Sequence, residues 1–258
     1  PFVLRRVKED VVADLPEKIE DTVMAQLTGE QRKLYLANQD RIAQQVQHRE
    51  SSEFKKDKLK VLAELTKLRQ ICCDPRLHYE DYKAGSAKLD TCMELVHGAL
   101  DGGHRILLFS QFTGMLDIIG KRLAKEDIAF LKLTGASSKE SRAKMVAQFQ
   151  AGEVPVFLIS LKAGGVGLNL TAADVVIHYD PWWNVAAQDQ ATGRAHRIGQ
   201  QHAVTVYKLI AKDTIEERIM QMQESKRDLV NSVLGGDGIS SALFTREDVL
   251  ALLGGDGR

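Results

Sequence analysis

A glutamine and two arginines lie within eight residues of one another in the second half of this chain. Gln190, Arg194 and Arg197 follow Asn184, which is expected to cap the start of a helix. At about 100° per residue, the three side chains would project within about 60° of one another on that helix. Such a face would offer several hydrogen-bond donors to an anion. From spacing alone, a solvated helix face with surface ion pairs remains an equal alternative.

Arginine is well suited to phosphate chemistry because its guanidinium stays charged and offers forked donors to phosphate oxygens. Arg194 and Arg197 could therefore stabilise the charge that develops during phosphoryl transfer. The chain contains no G-x-x-x-x-G-K-[ST] loop and no acidic D-E-x-H or D-E-x-D box. We therefore expect the chain alone not to hydrolyse ATP at a useful rate.

A glycine-rich turn, Lys162 to Gly167, comes shortly after the apolar run Val156–Ile159. Gly165 and Gly167 would let the backbone approach either a phosphate or a neighbouring loop closely, and the residues alone favour neither. The turn is not a dinucleotide-binding fingerprint, because Leu170 stands where G-x-G-x-x-G requires glycine.

The composition indicates a folded protein from a reducing compartment. Hydrophobic residues make up 44% of the 258 residues, enough for a packed core, and acidic and basic residues balance at 35 each. This neutrality still permits a local basic groove for nucleic acid. The three cysteines form neither a disulfide framework nor a metal-binding pattern, so no metal site is expected. No apolar run or signal peptide indicates a membrane, which favours the cytoplasm, nucleoid or nucleus, and the missing initial methionine suggests a fragment.

Alternation of strands and helices in the second half of the chain predicts an α/β fold with a parallel sheet and helices on both faces. The predicted strands are Ile106–Phe109, Ala129–Leu133, Val156–Ile159, Val175–Ile177 and Val204–Ile210. A further half-buried strand is predicted from apolar residues at odd positions between Ile19 and Leu27. Ligands of such sheets bind beyond the carboxyl ends of the strands, where Ser110, the glycine turn and Asp180 would converge.

Helix signals dominate the remaining sequence. A short helix is predicted at residues 8–14, and a helical hairpin between about residues 28 and 80. Capping boxes are expected at Thr28–Gln31, Ser137–Glu140 and Thr245–Asp248. Residues 213–234 are predicted to form one more amphipathic helix, and the glycines from Gly235 to Gly238 a flexible break.

The stretch GGVGLNLTAADVVIHYDPWWN, followed by QATGRAHRIGQ, resembles motifs V and VI of the Swi/Snf-type ATPases, a branch of helicase superfamily two. The resemblance extends in order over nearly the whole chain. Residues 2–6 and 15–18 look like the family's passage from the first motor lobe, and residues 68–73 like its helical protrusion. ILLFSQF at 106–112 is similar to motif IV, and residues 213–218 resemble the start of the brace helix.

This resemblance implies the second, RecA-like lobe of a two-lobed motor. It divides the chain into a segment from the missing first lobe (1–27), a helical insertion or protrusion (28–85), the RecA-like lobe (86–212), a C-terminal brace helix (213–235) and a flexible tail with a short helix (236–258). Family members are DNA-dependent ATPases that translocate along double-stranded DNA and remodel or displace protein–DNA complexes.

The resemblance also assigns roles to residues. Arg194 and Arg197 match the arginine fingers. Nucleotide-binding positions are Gly165, Gly167 and Gln190, with ATP and Mg²⁺ held mainly by the missing first lobe. The loops of motifs IV and V, which line the DNA path, contain Ser110, Gln111, Ser160 and Lys162. Trp183 is a further candidate for DNA contact, although a buried anchor is the better interpretation of the Trp182-Trp183 pair.

Three positions depart from the commonest family pattern, although none of them removes a donor. Val185 replaces a usual proline, Gln188 a usual acid, and Gly193 a usual aspartate. A glycine inside the predicted helix would loosen it beside Arg194. Two alternative functions remain: a non-enzymatic DNA- or protein-binding module with the same fold, and an RNA helicase, against which the insertion and the brace-like sequence argue.

Overall fold

The structure is a computed structural model that describes residues 15–48, 51–164, 167–181, 185–225 and 245–254. The predicted helix at residues 8–14 and the predicted Asn184 cap lie outside these residues. The described strands are β1 (Lys18–Gln26), β2 (Ile106–Ser110), β3 (Phe130–Leu133), β4 (Val156–Ser160), β5 (Val175–His178) and β6 (Val204–Lys212). They form one sheet in the order β1-β6-β5-β2-β4-β3, and every neighbouring pair is parallel. The predicted parallel α/β sheet is confirmed.

Helices cover both faces of this sheet. They are α1 (Gly29–Gln47), α2 (Ser51–Cys73), α3 (Ala87–Asp101), α4 (Thr113–Lys125), α5 (Lys139–Gln150), α6 (Leu161–Gly164), α7 (Val185–Thr192), α8 (Ile215–Ser225) and α9 (Arg246–Leu252). None of the helices within the described ranges is long and apolar enough to cross a membrane.

The central strands are buried on both faces, as unbroken apolar runs require. Alternate residues of β2 separate the two faces: Leu108 packs with the apolar sides of α3 and α4, whereas Leu107 packs with Phe149 of α5 and Ala191 of α7. The neighbouring strands β2 and β5 connect in opposite directions across the sheet, β2 to β3 at one edge and β5 to β6 toward the other. A crevice at the carboxyl ends of these strands is where such sheets bind ligands.

Strand β1 lies at one edge of the sheet and pairs with β6 along its whole length. The predicted alternation is correct at its end, where Ala25 and the following Leu27 are buried. It is wrong at the start, where Ile19 is 46% exposed. Residues 18–22 are all exposed, so neither face of the strand is covered there. Residues 18–26 nevertheless belong to the same sheet as the strands from the second half of the chain.

A separate apolar core joins the two halves of the chain. Helices α1 and α2 pack against α8 and α9, and Leu65, Ile71, Ile215 and Leu252 are buried among them. The sequence predicted a flexible tail after residue 235. Of that tail, the structure describes residues 245–254, and they are docked on this core. Gln39 Nε2 donates to the carbonyl of Leu253 at 2.6 Å.

Two of the three predicted capping boxes are wrong. The Thr28 side chain makes no cap hydrogen bond, because Gln31 instead donates to the carbonyls of Ile71 and Cys72. Helix α5 is capped by Ser138 rather than Ser137, whose hydroxyl accepts from the amide of Thr134. The box at Thr245 and Asp248 is confirmed.

Candidate functional site

Ser110 and Ser160 face each other at the carboxyl ends of β2 and β4, where they are register partners. Both are buried, at 0% and 3% exposure. The Ser110 hydroxyl accepts from the amide of Phe112 at 3.1 Å, and that of Ser160 accepts from the amide of Ala163 at 3.4 Å. In this structure the two hydroxyls therefore shape the loops that follow the strands.

Gln111 follows β2 and is held by two neighbouring elements. Its backbone amide donates to the Asp180 carboxylate at 3.2 and 3.3 Å, and its side-chain Oε1 accepts from Arg69 of α2 at 3.1 Å. Arg69 also donates to the carbonyl of Pro181. Burial raises the pKa of Asp180, while the Ser110 hydroxyl and the Arg69 guanidinium act in the opposite direction. The ends of β2, β5 and the helical hairpin are thus joined at one point.

Lys162 and Gly167 lie on the loop after β4. Lys162 is exposed, in the single turn of α6. Gly167 has a φ of +40°, in the left-handed region that favours glycine, and an added Cβ would meet no atom of the described residues within 4 Å. The backbone is therefore open to a ligand at this glycine. Gly165, Trp182 and Trp183 lie outside the described residues.

Helix α7 ends at Thr192, so the prediction that Gln190, Arg194 and Arg197 share one helical face is wrong. After Thr192 the chain tightens into turns, in which the amide of Ala195 donates to the carbonyl of Thr192 at 3.1 Å. The carbonyl of Arg194 accepts at 3.0 Å from the amide of Leu170, a contact with another segment that a continuing helix would not allow.

The two arginines nevertheless lie in one turn of the chain, three residues apart. Burial lowers the pKa of Arg194, and the positive charge of Arg197 acts in the same direction. Arg194 is 8% exposed, whereas Arg197 and Gln190 are exposed. The bond between Leu170 and Arg194 holds this arginine turn beside the segment that leaves Gly167. The glycine loop and the arginine turn thus form one surface.

His178 supports the arginine turn from inside the protein. It is 1% exposed, stacks on Phe109 with ring centroids 5.6 Å apart, and has its Nε2 2.8 Å from the hydroxyl of Thr192. Burial, with a contribution from the Lys208 ammonium, lowers the pKa of His178 to about 3. The imidazole is therefore neutral, and it ties the last residue of α7 to the end of β5.

Several residues of this framework were missed by the sequence analysis. His178, Thr192 and Arg69 lie within stretches that resemble family motifs, but no role was assigned to them. The only signal that could have identified them was their position inside or next to these stretches. Their importance comes from contacts between segments distant in sequence, which periodicity does not contain.

A cleft of about 240 Å³ opens near His178, between α7, α8 and the exposed part of β1 and β6. Its lining includes Glu20, Lys208 and Met220, and it does not include Arg194, Arg197 or Gly167. The candidate site therefore does not coincide with this cleft.

The fold and the arginine turn define a helicase-type motor lobe. Residues 87–199 match the family described as Helicase conserved C-terminal domain, and residues 1–77 match the SNF2-related domain. The C-terminal domain of the Sulfolobus solfataricus SWI2/SNF2 ATPase is similar, with 32% identity and a TM-score of 0.74, over 92% of this chain and 98% of that one. The chain belongs to the Swi2/Snf2 family of ATPases and corresponds to the C-terminal, RecA-like lobe.

Two further similarities extend this result to longer proteins. The S. solfataricus SWI2/SNF2 ATPase core in complex with dsDNA is 35% identical, with a TM-score of 0.77, over 98% of this chain and 54% of that one. An uncharacterised ATP-dependent helicase of Mycoplasma pneumoniae is 40% identical over 98% of this chain and 24% of its own length. The chain spans about a quarter of the length of the curated relatives that it matches.

Proposed function

We propose that this chain is the second motor lobe of an ATP-dependent translocase on double-stranded DNA, which remodels or displaces protein–DNA complexes. The observation that carries the proposal is the surface formed by Gly167 and the arginine turn. It combines an open backbone with a guanidinium pair at the carboxyl edge of a parallel sheet.

The two arginines would act differently because their surroundings differ. Arg197 is exposed, so its guanidinium can reach a phosphate held by another lobe. Arg194 is buried, and an anion would offset the repulsion from Arg197 that lowers its pKa. Together they would neutralise charge on the γ-phosphoryl group as water attacks it. Gly165, Gly167 and Gln190 would line the nucleotide on the same side.

The nucleotide cradle and the magnesium site would belong to the first lobe. Within the described residues, no group of three or more histidine, cysteine, aspartate or glutamate side chains could hold a metal ion. The sequence also lacks the glycine-lysine phosphate loop. When bound, Mg²⁺ would neutralise phosphate charge, while this chain would supply the guanidinium donors.

The DNA track would follow the loops after β2 and β4. Lys162 is exposed there and can contact a phosphate directly. Ser110 and Ser160 would hold these loops through their buried hydroxyls, and the Gln111 amide Nε2, which lacks a hydrogen-bond partner among the described residues, would be the donor nearest the track. Trp183 remains a candidate contact. The similar core from S. solfataricus, described in complex with dsDNA, supports this assignment.

The arginine pair can be tested in the protein that joins this chain to a first lobe. We expect Arg194→Ala and Arg197→Ala each to lower DNA-stimulated ATP turnover at least about 100-fold, because an arginine finger acts on the transition state. ATP affinity, measured by titration with a non-hydrolysable analogue, should change little. Arg32→Ala is the matched control, because Arg32 is exposed on α1. Wild-type turnover in both arginine variants would refute the role and favour a non-enzymatic binding module.

A further inference from the structure

Lys88 and Glu216 form an ion pair in the interior of the chain. Lys88 Nζ lies 2.5 Å from Glu216 Oε2, and both side chains have 0% exposure. Lys88 is in the first turn of α3, whereas Glu216 is in the first turn of α8, the described part of the predicted brace helix. The pair therefore joins α3, which packs on the sheet, to α8, the helix that follows β6.

The Glu216 carboxylate has further donors. The amide of Ala211 donates to Oε2 at 2.9 Å, and the Cys73 thiol lies 3.8 Å from Oε1. Burial acts to lower the pKa of Lys88, but the charge and the hydrogen bond of Glu216, together with Cys73 and Asp180, raise that pKa above its ordinary value. Lys88 is thus charged in the fold.

Stability alone does not explain such a pair. Removing two charges from water is unfavourable, and replacing a buried ion pair by neutral groups of similar volume is often neutral or stabilising. What the pair does provide is a fixed geometry, because a buried charge that loses its partner is strongly disfavoured. Any rotation of α8 away from α3 would separate the two charges.

The pair also reaches the candidate site. Lys88 Nζ lies 5.4 Å from the centroid of the Tyr179 ring, and the Tyr179 hydroxyl donates to the carbonyl of Cys73 at 2.9 Å. The next residue, Asp180, accepts the amide of Gln111. A continuous set of contacts therefore runs from the first turn of α8 to the loop after β2.

The start of α8 is held from a second side by the helical hairpin. The amide of Ile215 donates to the Tyr35 hydroxyl of α1 at 2.7 Å. Thr214 donates to the carbonyl of Ala211 at 2.7 Å and accepts the amide of Glu216 at 3.2 Å. The first turn of α8 is thus fixed to β6, to the hairpin and to α3 at once.

We propose that Lys88 and Glu216 are positioning residues that fix the direction of the brace helix relative to the loop containing Gln111. The DNA track and the contacts between the lobes would then keep a constant relative position. This inference rests on the proposed motor function. It assigns a role to two residues that touch neither nucleotide nor DNA.

The test uses Lys88→Met/Glu216→Gln in the protein that joins this chain to a first lobe. Methionine fills the lysine volume, and glutamine still accepts the amide of Ala211, so the fold should survive, with a similar melting temperature. We expect kcat for DNA-stimulated ATP hydrolysis to fall at least about 10-fold with the KM for ATP unchanged. Lys132→Met/Asp117→Asn, which removes an exposed ion pair near β3, at the edge of the sheet opposite β1, is the matched control.

Hydrogen exchange of the chain alone supplies a readout that does not depend on motor activity. We expect the amides of Ile215, Glu216 and Glu217 to exchange at least about 10-fold faster in the double variant, while those of β2 and β4 stay protected. Unchanged exchange at α8, or wild-type kcat in the active protein, would overturn the positioning role.

Two further results keep the proposals separate. If the wild-type protein shows no DNA-stimulated turnover, the motor function fails, and the exchange experiment still decides whether the pair holds α8. If the double variant does not fold, Glu216→Asp replaces it, because it keeps the charge and shortens the side chain. The same loss of kcat would support the positioning role, and wild-type kcat would overturn it.

Discussion

His178 has a buried, neutral imidazole whose protonation would weaken the fold. Its pKa is lowered from an ordinary value of 6.5 to about 3, first by burial and then by the Lys208 charge. Between these two values the unfolded chain binds a proton at this residue and the folded chain does not. The contribution of His178 to stability is therefore complete above about pH 6.5 and is lost as the pH falls toward 3.

We expect the free energy of unfolding to fall between pH 6.5 and 5, with His178 contributing up to about 1.4 kcal/mol per pH unit. His178→Gln should flatten this slope, because a glutamine amide does not titrate and can still bond to the Thr192 hydroxyl. Denaturant titrations at several pH values measure it. His48→Gln, at the exposed histidine that follows the end of α1, is the control. Equal slopes for His178→Gln and the wild type would contradict the assignment.

The candidate site residues were named from the sequence, but their local geometry was not predicted. Arg194, Arg197 and Gly167 were selected by residue type and motif order, and the hydrogen bond between the Leu170 amide and the Arg194 carbonyl joins the two loops that contain them. Arg194 and Arg197 were expected on one helical face, but α7 ends at Thr192, before both residues. The contact that ends the helix, between the Arg194 carbonyl and the amide of Leu170, joins two loops, and local spacing contains no information about it.

At the scale of elements, α9 shows a short helix that depends on its neighbours. Arg246 donates to the carbonyls of Val46 and Gln47 at the end of α1, and Arg218 of α8 donates to the carbonyl of Leu252. The capping box of Thr245 and Asp248 adds local hydrogen bonds at the N-terminal end of α9. An isolated helix of this length would not be stable in water, so tertiary contacts hold it.

Thr245→Ala should destabilise α9 by about 1 kcal/mol, because it removes the hydroxyl that caps the amide of Asp248. The effect should be confined to this helix and visible as faster hydrogen exchange of its amides. Glu247→Gln, at an exposed position of the same turn, is the control. Wild-type exchange of α9 in Thr245→Ala would show that packing alone holds the helix.

Element types were predictable wherever a long apolar run or a helical period was present. The sheet strands and the end of α3 at Gly102 follow from such patterns. Cap positions were predicted less well: the box at Thr245 was correct, but Gln31 bonds to the distant carbonyls of Ile71 and Cys72, and α5 is capped by Ser138, one residue later than expected. A hydrogen bond to a distant carbonyl replaced a local cap in the case of Gln31.

At the scale of the whole molecule, the candidate surface forms one wall of a site. Its donors come from the loop after β4 and from the arginine turn, and the sequence contains no phosphate-binding loop to oppose them. With a neutral balance of 35 acidic and 35 basic residues, the chain has no overall charge to attract DNA.

The chain alone should therefore bind ATP and duplex DNA weakly. Isothermal titration is expected to give an ATP dissociation constant above about 1 µM, because only one side of the nucleotide is contacted. Joining the chain to a first lobe should tighten binding of both ligands. Submicromolar ATP binding by the chain alone would contradict this expectation.

The pairing of β1 with β6 has a consequence for biosynthesis. These strands come from opposite ends of the chain, yet each is the neighbour of the other in the sheet. After it leaves the ribosome, β1 must therefore remain without this partner until β6 has been made. Closing so long a loop is slow and entropically unfavourable, so the sheet is completed only after translation has passed Lys212.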